Sequence, residues 1–228
     1  MSQPPLSVLY EDNHLLVVNK PPGVASQGAL PDAPSLVHLA KDYLKRKYNK
    51  PGDAYVGVVS RLDQPVSGVV VLAKTSKAAQ RLNDQFRGRA VQKTYWALVE
   101  TPADQSPLSD VFECVDWLKP AVGRKGSQLA REGDPDAQDA RLRGRVLNRG
   151  KGIALLEIDL QTGRKHQIRV QLAARGWPIL GDRLYGARKT FPNGIALHAR
   201  TLTIVHPTTR EEMEFVAPPG VAWRAYLG

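Results

Sequence analysis

One stretch of the chain decides its fold, and it reads Ser60-Arg61-Leu62-Asp63-Gln64-Pro65-Val66-Ser67-Gly68-Val69-Val70-Val71-Leu72-Ala73-Lys74. Its first half is polar and contains Pro and Gly, which is typical of a loop. Its second half, residues 69–73, is a continuous apolar run, and residues 56–59 before the loop form another. Short runs of this kind are typical of buried strands. The sequence therefore predicts two buried strands with Asp63 on the loop between them, where rigid strands often hold catalytic groups.

Further strand and helix patterns surround this stretch. Ser35 is a predicted helix N-cap, because apolar residues at helical spacing follow it. Ser76 is predicted to cap a second helix, and a third is expected to begin near Lys165 and to stop at Gly176. Because strands outnumber helices in a mixed order, we predict an α+β fold in which a sheet has flanking helices. The other predicted elements are a hairpin over 8–18 and strands over 94–99, 153–160, 195–205 and 214–216.

Residues 101–152 differ in composition from the rest of the chain, with many Gly, Pro, Asp and Arg residues. We interpret them as an irregular basic region of strands and loops inside one domain that spans residues 1–228, because the segment is short and poor in core residues. Arg141, Arg143 and Arg145 alternate with other residues, which predicts that they share one face of a strand.

Composition narrows the class of protein. The chain has 228 residues, 42% of them hydrophobic, and a formal net charge of +10. The charge favours a polyanionic partner, although a basic surface also serves solubility. No apolar run approaches the length of a membrane span, and the N-terminus lacks the features of a signal peptide. Cys114 is the only cysteine, so no internal disulfide forms, and we expect a reducing, cytoplasmic location.

Two polar clusters are candidates for chemistry. Asp63 is a nucleophile, a general base, a metal ligand or a residue that stabilises a turn. Residues 163–169 place several cations where a helix is expected to begin, which the helix dipole disfavours. They therefore need an anion, either a phosphate or a protein carboxylate, unless they form an exposed basic face. The five histidines show no ligand spacing with Cys or carboxylates, so we expect no metal.

Six motifs in order resemble the RluA-type RNA pseudouridine synthases, over nearly the whole chain. The resemblance implies a single catalytic domain with a mixed, largely antiparallel sheet and flanking helices. Because the first predicted strand starts near Val8, we expect no N-terminal S4-like RNA-binding domain. The motifs are Asn-Lys-Pro-Pro-Gly at 19–23, Arg-Leu-Asp at 61–63 with Ser-Gly at 67–68, Lys-Thr-Tyr at 93–95, Gly-Arg-Lys-His-Gln-Ile-Arg at 163–169, Gly-Asp-Arg-Leu-Tyr-Gly at 181–186 and Leu-His-Ala at 197–199.

The resemblance implies an isomerase that converts specific uridines in structured RNA, rRNA or tRNA, to pseudouridine. Asp63 matches the family's nucleophile, which attacks the ribose C1′ or the uracil C6, or assists through a glycal intermediate. The base rotates while it is held, and C5 then bonds to C1′. A carboxylate forms and releases a covalent bond without a cofactor, so none is expected. The expected partner is RNA, without a membrane or a metal, and the expected state is a monomer.

The same resemblance assigns roles to other residues. Arg169 matches an arginine that pairs with the nucleophile, which must stay ionised in a mostly apolar pocket. Tyr95 matches a tyrosine that stacks on the uracil and whose hydroxyl is a candidate base toward C5. Ile168 is expected to pack against the base. Arg61 matches an arginine that fills the space left when the uridine flips out of the RNA stack.

Some features depart from the family pattern or leave alternatives open. Ser60, Val66 and Gln171 stand where many relatives have His, Thr and His, and these changes affect loop packing or RNA contacts. The basic residues of 119–151 either bind the RNA backbone or form a solvated face. One rival function is a catalytically idle RNA-binding protein. Another is a hydrolase of free nucleosides, but glycosidases of that type use paired carboxylates, and no second acid has a clear motif.

Overall fold

The chain forms two compact units in a computed structural model that describes residues 6–28, 34–49, 51–102, 107–123 and 125–227. The first unit comprises Met1–Gln92 and Ala199–Gly220, and the second comprises Lys93–His198 and Val221–Gly228. Whether the chain folds as one domain stays a prediction.

Strands outnumber helices, occur in a mixed order and form antiparallel pairs, which confirms the predicted α+β fold. No helix in the described ranges is both long and apolar enough to cross a bilayer. The elements are β1 (Ser7–Glu11), β2 (Leu15–Lys20), α1 (Leu36–Lys47), β3 (Gly57–Val58), β4 (Ser67–Ala73), α2 (Ser76–Arg87), β5 (Gln92–Glu100), β6 (Val111–Pro120), β7 (Ser127–Ala130), β8 (Gln138–Gly150), β9 (Ile153–Leu160), α3 (Gln167–Ala174), β10 (Leu197–Val205) and β11 (Glu212–Val216), with 3-10 turns at Arg183–Tyr185 and Val221–Tyr226.

The first unit is built on the strand order β1-β2-β4-β10-β11, with β3 also on β4. The predicted hairpin is present, since β1 pairs antiparallel with β2. β4 is buried along its whole length, as its continuous apolar sequence predicts. Its register against β2 sets Leu16 opposite Leu72, and Leu36, Ala40 and Leu44 of α1 join the same apolar core. This core holds the start of β4, and therefore the Asp63 loop before it, on a rigid base.

The helix starts agree with prediction at one site and differ at two. Ser35 caps α1, and its Oγ accepts the amide of His38. α2 is capped by Thr75 instead of Ser76, because Thr75 is the extended residue and its Oγ1 accepts the amide of Ala78 at 3.1 Å. α3 begins at Gln167, two residues later than expected, because the residue before it adopts a left-handed conformation.

The second unit is an antiparallel sheet with the strand order β5-β9-β8-β6-β7. The expectation that residues 101–152 are irregular is wrong, since β6 and β8 contain 10 and 13 residues. Gly133, Asp134 and Pro135 lie in the turn between β7 and β8, whereas alternate strand residues such as Leu118 and Ala140 are buried. As predicted, Arg141, Arg143 and Arg145 share the exposed face of one strand.

Candidate active site

The backbone on both sides of Asp63 is held by one segment of the first unit, residues 20–26. The hydroxyl of Ser26 donates to the Leu62 carbonyl at 2.7 Å and accepts the Leu62 amide at 3.0 Å. On the other side, the Gln64 carbonyl accepts the Gly23 amide at 2.8 Å, and the Gln64 side chain donates back to the Gly23 carbonyl. Asp63 is half-buried between these two anchors. Its position therefore depends on four hydrogen bonds from a neighbouring loop.

Lys20 is the first residue of that segment, and its side chain has no exposed surface. Its Nζ donates to the carbonyls of Pro21 at 3.0 Å, Val24 at 2.8 Å and Gln64 at 3.2 Å, which uses all three donors of an ammonium group. Burial lowers the pKa of Lys20 to about 7, while the nearby charge of Asp63 raises it. Lys20 belongs to the motif at 19–23, which by itself predicts no role for it, whereas its hydrogen bonds connect residues 21–24 to the Asp63 loop.

We expect Lys20→Met to change how stability depends on pH. Because burial lowers the pKa of Lys20 to about 7, the unfolded chain carries a proton between pH 7 and 10 that the folded chain lacks. The free energy of unfolding of the wild type should therefore rise with pH relative to the variant, by about 1 kcal/mol per pH unit. That contribution is present at high pH and is lost as the pH falls through 7.

Urea unfolding of both proteins across pH 6 to 10 measures this difference. Lys45→Met, at an exposed lysine of α1, is the control and should give a difference that does not vary with pH. A constant gap between the wild type and Lys20→Met would contradict the assignment.

Gly68, at the start of β4, allows β4 to lie against β10. Its φ is +121°, and a Cβ there would overlap the carbonyl oxygen of Ala199 and lie 2.8 Å from its carbonyl carbon. Both the conformation and the close approach therefore require glycine. The Ser-Gly motif after Asp63 thus has a structural reason at its second position.

Gly68→Ala is expected to lower the free energy of unfolding by about 2–4 kcal/mol, because a strained backbone and a steric overlap add together. Gly133→Ala is a matched control, since Gly133 also has a positive φ but nothing within 4 Å of a Cβ. That variant should lose about 1 kcal/mol. Equal losses in chemical denaturation would show that the approach of Ala199 does not matter.

Arg169 of α3 meets a protein carboxylate within the second unit. Its Nε donates to Asp182 Oδ2 at 2.7 Å and its Nη2 to Asp182 Oδ1 at 2.9 Å. The side chains are 5% and 1% exposed, so the pair is buried and bidentate. The guanidinium carbon also lies 5.1 Å from the ring centre of Tyr185, within the range of a cation–π contact. Of the two anions that the sequence left open for this cluster, Arg169 therefore meets the carboxylate.

Tyr185 joins three segments of the second unit through its hydroxyl. Its Oη accepts the Ser127 amide at 2.9 Å and lies 2.9 Å from His166 Nδ1. Gly126 approaches so closely that a Cβ there would lie 2.6 Å from this oxygen. His166 and Arg169 thus both contact the same tyrosine. The motif at 181–186 therefore supports Arg169 through Asp182 and Tyr185.

Gln167 fixes the start of α3 where the preceding residue provides no side-chain cap. Its Oε1 accepts the Arg164 amide at 2.9 Å and the Thr162 hydroxyl at 2.8 Å, and its Nε2 donates to the Arg141 carbonyl. Only 3% of the residue is exposed. Ile168 and Arg169 follow directly, so Gln167 orients both of them.

The predicted site residues are distributed over both units. Arg61 and Asp63 share one loop of the first unit, where Arg61 is exposed. In the second unit, Ile168 and Arg169 are buried neighbours on α3, and Tyr95 is buried on β5 opposite Ile158. The pairing of Arg169 with Asp63, the catalytic roles of Asp63, Tyr95 and Arg169, and the substrate-binding roles of the other two residues stay predictions.

The three residues that depart from the family pattern are buried or half-buried. Val66 is 2% exposed and Ser60 is half-buried. Gln171 is fully buried, and its Nε2 donates to Asp116 Oδ2 at 2.7 Å and to the Ala140 carbonyl at 3.0 Å. Gln171 therefore ties α3 to β6 and β8. Across the described residues, no group of three or more His, Cys, Asp or Glu side chains is arranged to hold a metal.

This fold, with these motifs, defines a class of RNA-modifying isomerase. The chain matches the family described as RNA pseudouridylate synthase over residues 14–174, and it belongs to that family. The match confirms the resemblance that the motifs indicate and the enzyme class, pseudouridine synthase.

Individual relatives cover nearly the whole chain. It is 35% identical, over 97% of its length, to the ribosomal large subunit pseudouridine synthase C of Buchnera aphidicola, of which 69% is covered. It is 36% identical, over 94% of its length, to the ribosomal large subunit pseudouridine synthase D of Xanthomonas campestris, of which 66% is covered. The chain thus spans about two thirds of the length of these relatives.

Solved structures share the fold. Human RNA pseudouridylate synthase domain containing 4 superposes with a TM-score of 0.76 at 24% identity, covering 94% of this chain and 89% of that one. For human RNA pseudouridylate synthase domain containing 1 the TM-score is 0.71 at 26% identity, covering 94% and 83%. Both confirm the predicted fold class.

Proposed function

We propose that the chain isomerises one or more specific uridines in structured RNA, rRNA or tRNA, with Asp63 as the nucleophile. The observation that carries the proposal is the double anchoring of the Asp63 loop, since a reacting carboxylate must be held in a fixed position. Two relatives are named for the large ribosomal subunit, which makes its RNA the first substrate to test. The proposed enzyme acts as a cytoplasmic monomer.

The proposed reaction needs no cofactor and consumes no water. Asp63 attacks the ribose C1′ or the uracil C6, or assists through a glycal, and the bond between N1 and C1′ breaks. The uracil rotates and its C5 bonds to C1′. Asp63 is released at this stage, either because its bond to C1′ or C6 breaks or because it returns the C2′ proton in the glycal route. The C5 proton is then lost and N1 gains a proton, so substrate and product are isomers. Tyr95 is the proposed base for the C5 proton, and its ring is proposed to stack on the uracil.

Arg169 is proposed to keep the Asp63 carboxylate ionised and oriented. A guanidinium is always charged and binds carboxylates in a defined plane. The bidentate bond to Asp182 and the contact with Tyr185 support this role, because they restrain Arg169 before any substrate binds. Ile168, the buried neighbour on α3, is proposed to pack against the base.

Arg61 is proposed to act during base flipping. A uridine inside an RNA stack is out of reach of a carboxylate, and extruding it costs a few kcal/mol. The exposure of Arg61 on the Asp63 loop supports insertion into the vacated space. Its side chain then compensates for part of the lost stacking.

A transcriptome-wide pseudouridine map of the source cells tests the proposed function. The comparison is between the wild type, a deletion strain and the deletion rescued with the wild-type gene. We expect at least one site in rRNA or tRNA to disappear on deletion and to return on rescue. An unchanged map would favour an idle RNA-binding protein, and free uracil released from nucleosides by the purified protein would favour a hydrolase.

A further inference from the structure

Among the exposed cations that the structure describes in the second unit, two sets of three differ in whether they are paired with carboxylates. The arginine stripe consists of Arg141, Arg143 and Arg145 on β8, with side chains 53%, 65% and 62% exposed. Each of these arginines has a carboxylate partner. The pairs are Arg141–Asp139 at 2.9 Å, Arg143–Glu113 at 3.4 Å and Arg145–Glu157 at 2.7 Å.

The other set, the loop cluster, consists of Lys125, Lys165 and Arg183. All three are exposed, and none forms an ion pair with any residue in the described part of the chain. The segments that carry them, 121–127, 163–166 and 181–186, contain a single acidic residue, Asp182. That carboxylate is buried against Arg169. The loop cluster therefore presents uncompensated positive charge.

Hydrogen bonds fasten the three segments together. The Ser127 hydroxyl donates to the Lys165 carbonyl at 2.6 Å, and the Ser127 amide donates to Tyr185 Oη at 2.9 Å. Lys125 and Arg183 each lie two residues from one of these anchors, so their Cα atoms are within about 7 Å of it along the chain. The Lys165 carbonyl and the anchors two residues from Lys125 and Arg183 are thus held by hydrogen bonds within the protein, which limits the entropy lost on binding.

We propose that the loop cluster, and not the arginine stripe, contacts the phosphates of the RNA substrate, an inference that rests on the proposed function. Counterions are condensed on the phosphates of the RNA. A cation of the protein that has no carboxylate partner replaces one of these counterions at each phosphate that it contacts, and the counterion is released. An arginine of the stripe must first give up its carboxylate, which leaves that carboxylate facing the phosphate. The two sets therefore differ in what they contribute to binding, although each consists of three cationic side chains.

Two triple variants separate the sets. One is Lys125→Ser/Lys165→Ser/Arg183→Ser and the other is Arg141→Ser/Arg143→Ser/Arg145→Ser, and each lowers the formal net charge of +10 by three. Binding to transcribed large-subunit rRNA is measured from about 50 to 300 mM salt. We expect the loop-cluster variant to lose about 2–3 units of slope in log K against log salt and roughly tenfold or more in affinity at physiological salt. The stripe variant should change the slope by less than about one unit.

Equal losses in both variants would indicate a general charge effect and overturn the proposal, as would a larger loss in the stripe variant. Thermal unfolding of both variants establishes that they remain folded. Pseudouridine formation by the wild type is measured on the same RNA. If the wild type is active and the loop-cluster variant keeps its slope, this inference alone fails. If the wild type is inactive, the proposed function fails, and the slopes still decide which set binds RNA.

Discussion

Replacing Asp63 with asparagine is expected to slow pseudouridine formation by roughly 10³-fold or more, because an amide has the same shape but no nucleophilic charge. The four hydrogen bonds around the loop use the backbone of Leu62 and Gln64 and the side chain of Gln64, so they survive the substitution. RNA affinity should therefore change by less than about fivefold. Single-turnover rates with excess enzyme measure the chemical step separately from binding.

Asp84→Asn is the matched control for this substitution. Asp84 is an aspartate of α2 whose side chain is 60% exposed, and its amide variant should keep the wild-type rate. Asp63→Ala repeats the test without an amide that can hydrolyse back to a carboxylate. Activity near the wild-type level in both Asp63 variants would rule out the proposed nucleophile, whereas loss of RNA binding would indicate that the loop had moved.

The sequence predicted most elements because their signals are local. A continuous apolar run predicted β4, and a hydroxyl followed by an apolar stripe predicted α1 with its Ser35 cap. The same kind of signal was ambiguous at Thr75-Ser76, where two neighbouring hydroxyl residues both suit an N-cap. Only the backbone conformation distinguishes them, since Thr75 is extended and Ser76 is already helical.

The irregular interpretation of 101–152 was wrong because average composition hid the alternation of buried and exposed residues. β6 and β8 bury Cys114, Leu118, Ala140 and Leu142, while the residues that alternate with them, such as Glu113, Val115 and Arg143, are exposed. Turn residues are frequent in the segment partly because its strands are joined by short turns, such as those at 132–136 and 151–152. The alternation of apolar and polar residues with a period of two predicts both strands, whereas the frequency of Gly, Pro and Asp does not.

The partners of the candidate site residues could not be predicted, because they are distant in sequence and follow no period. Ser26 bonds Leu62 across 36 residues, and Asp182 meets Arg169 across 13. The motifs predicted the site residues themselves, but not the residues that form hydrogen bonds or ion pairs with them. The buried side chain of Lys20 illustrates the difference, since a lysine before two prolines is typical of an exposed loop, whereas the Nζ of this one has three carbonyl acceptors.

The last prediction separates a catalytic role of Arg169 from its structural role. Arg169→Met leaves Asp182 buried without its cation, and we expect a loss of about 3–5 kcal/mol in the free energy of unfolding. Adding Asp182→Leu removes that charge as well, and the double variant should return to within about 2 kcal/mol of the wild type. Chemical denaturation of the two single variants and the double variant completes the cycle.

Activity in the same cycle then decides the role of Arg169. If its guanidinium acts on the reacting carboxylate, the double variant regains stability but stays slower than the wild type by roughly 10²-fold or more. Arg175→Met is the matched control, because Arg175 also pairs with an aspartate near α3, but its side chain is 26% exposed. That variant should cost about 1 kcal/mol and keep the wild-type rate. A double variant with wild-type activity would mean that Arg169 serves only to neutralise Asp182, and the proposed support of Asp63 would have to come from another cation.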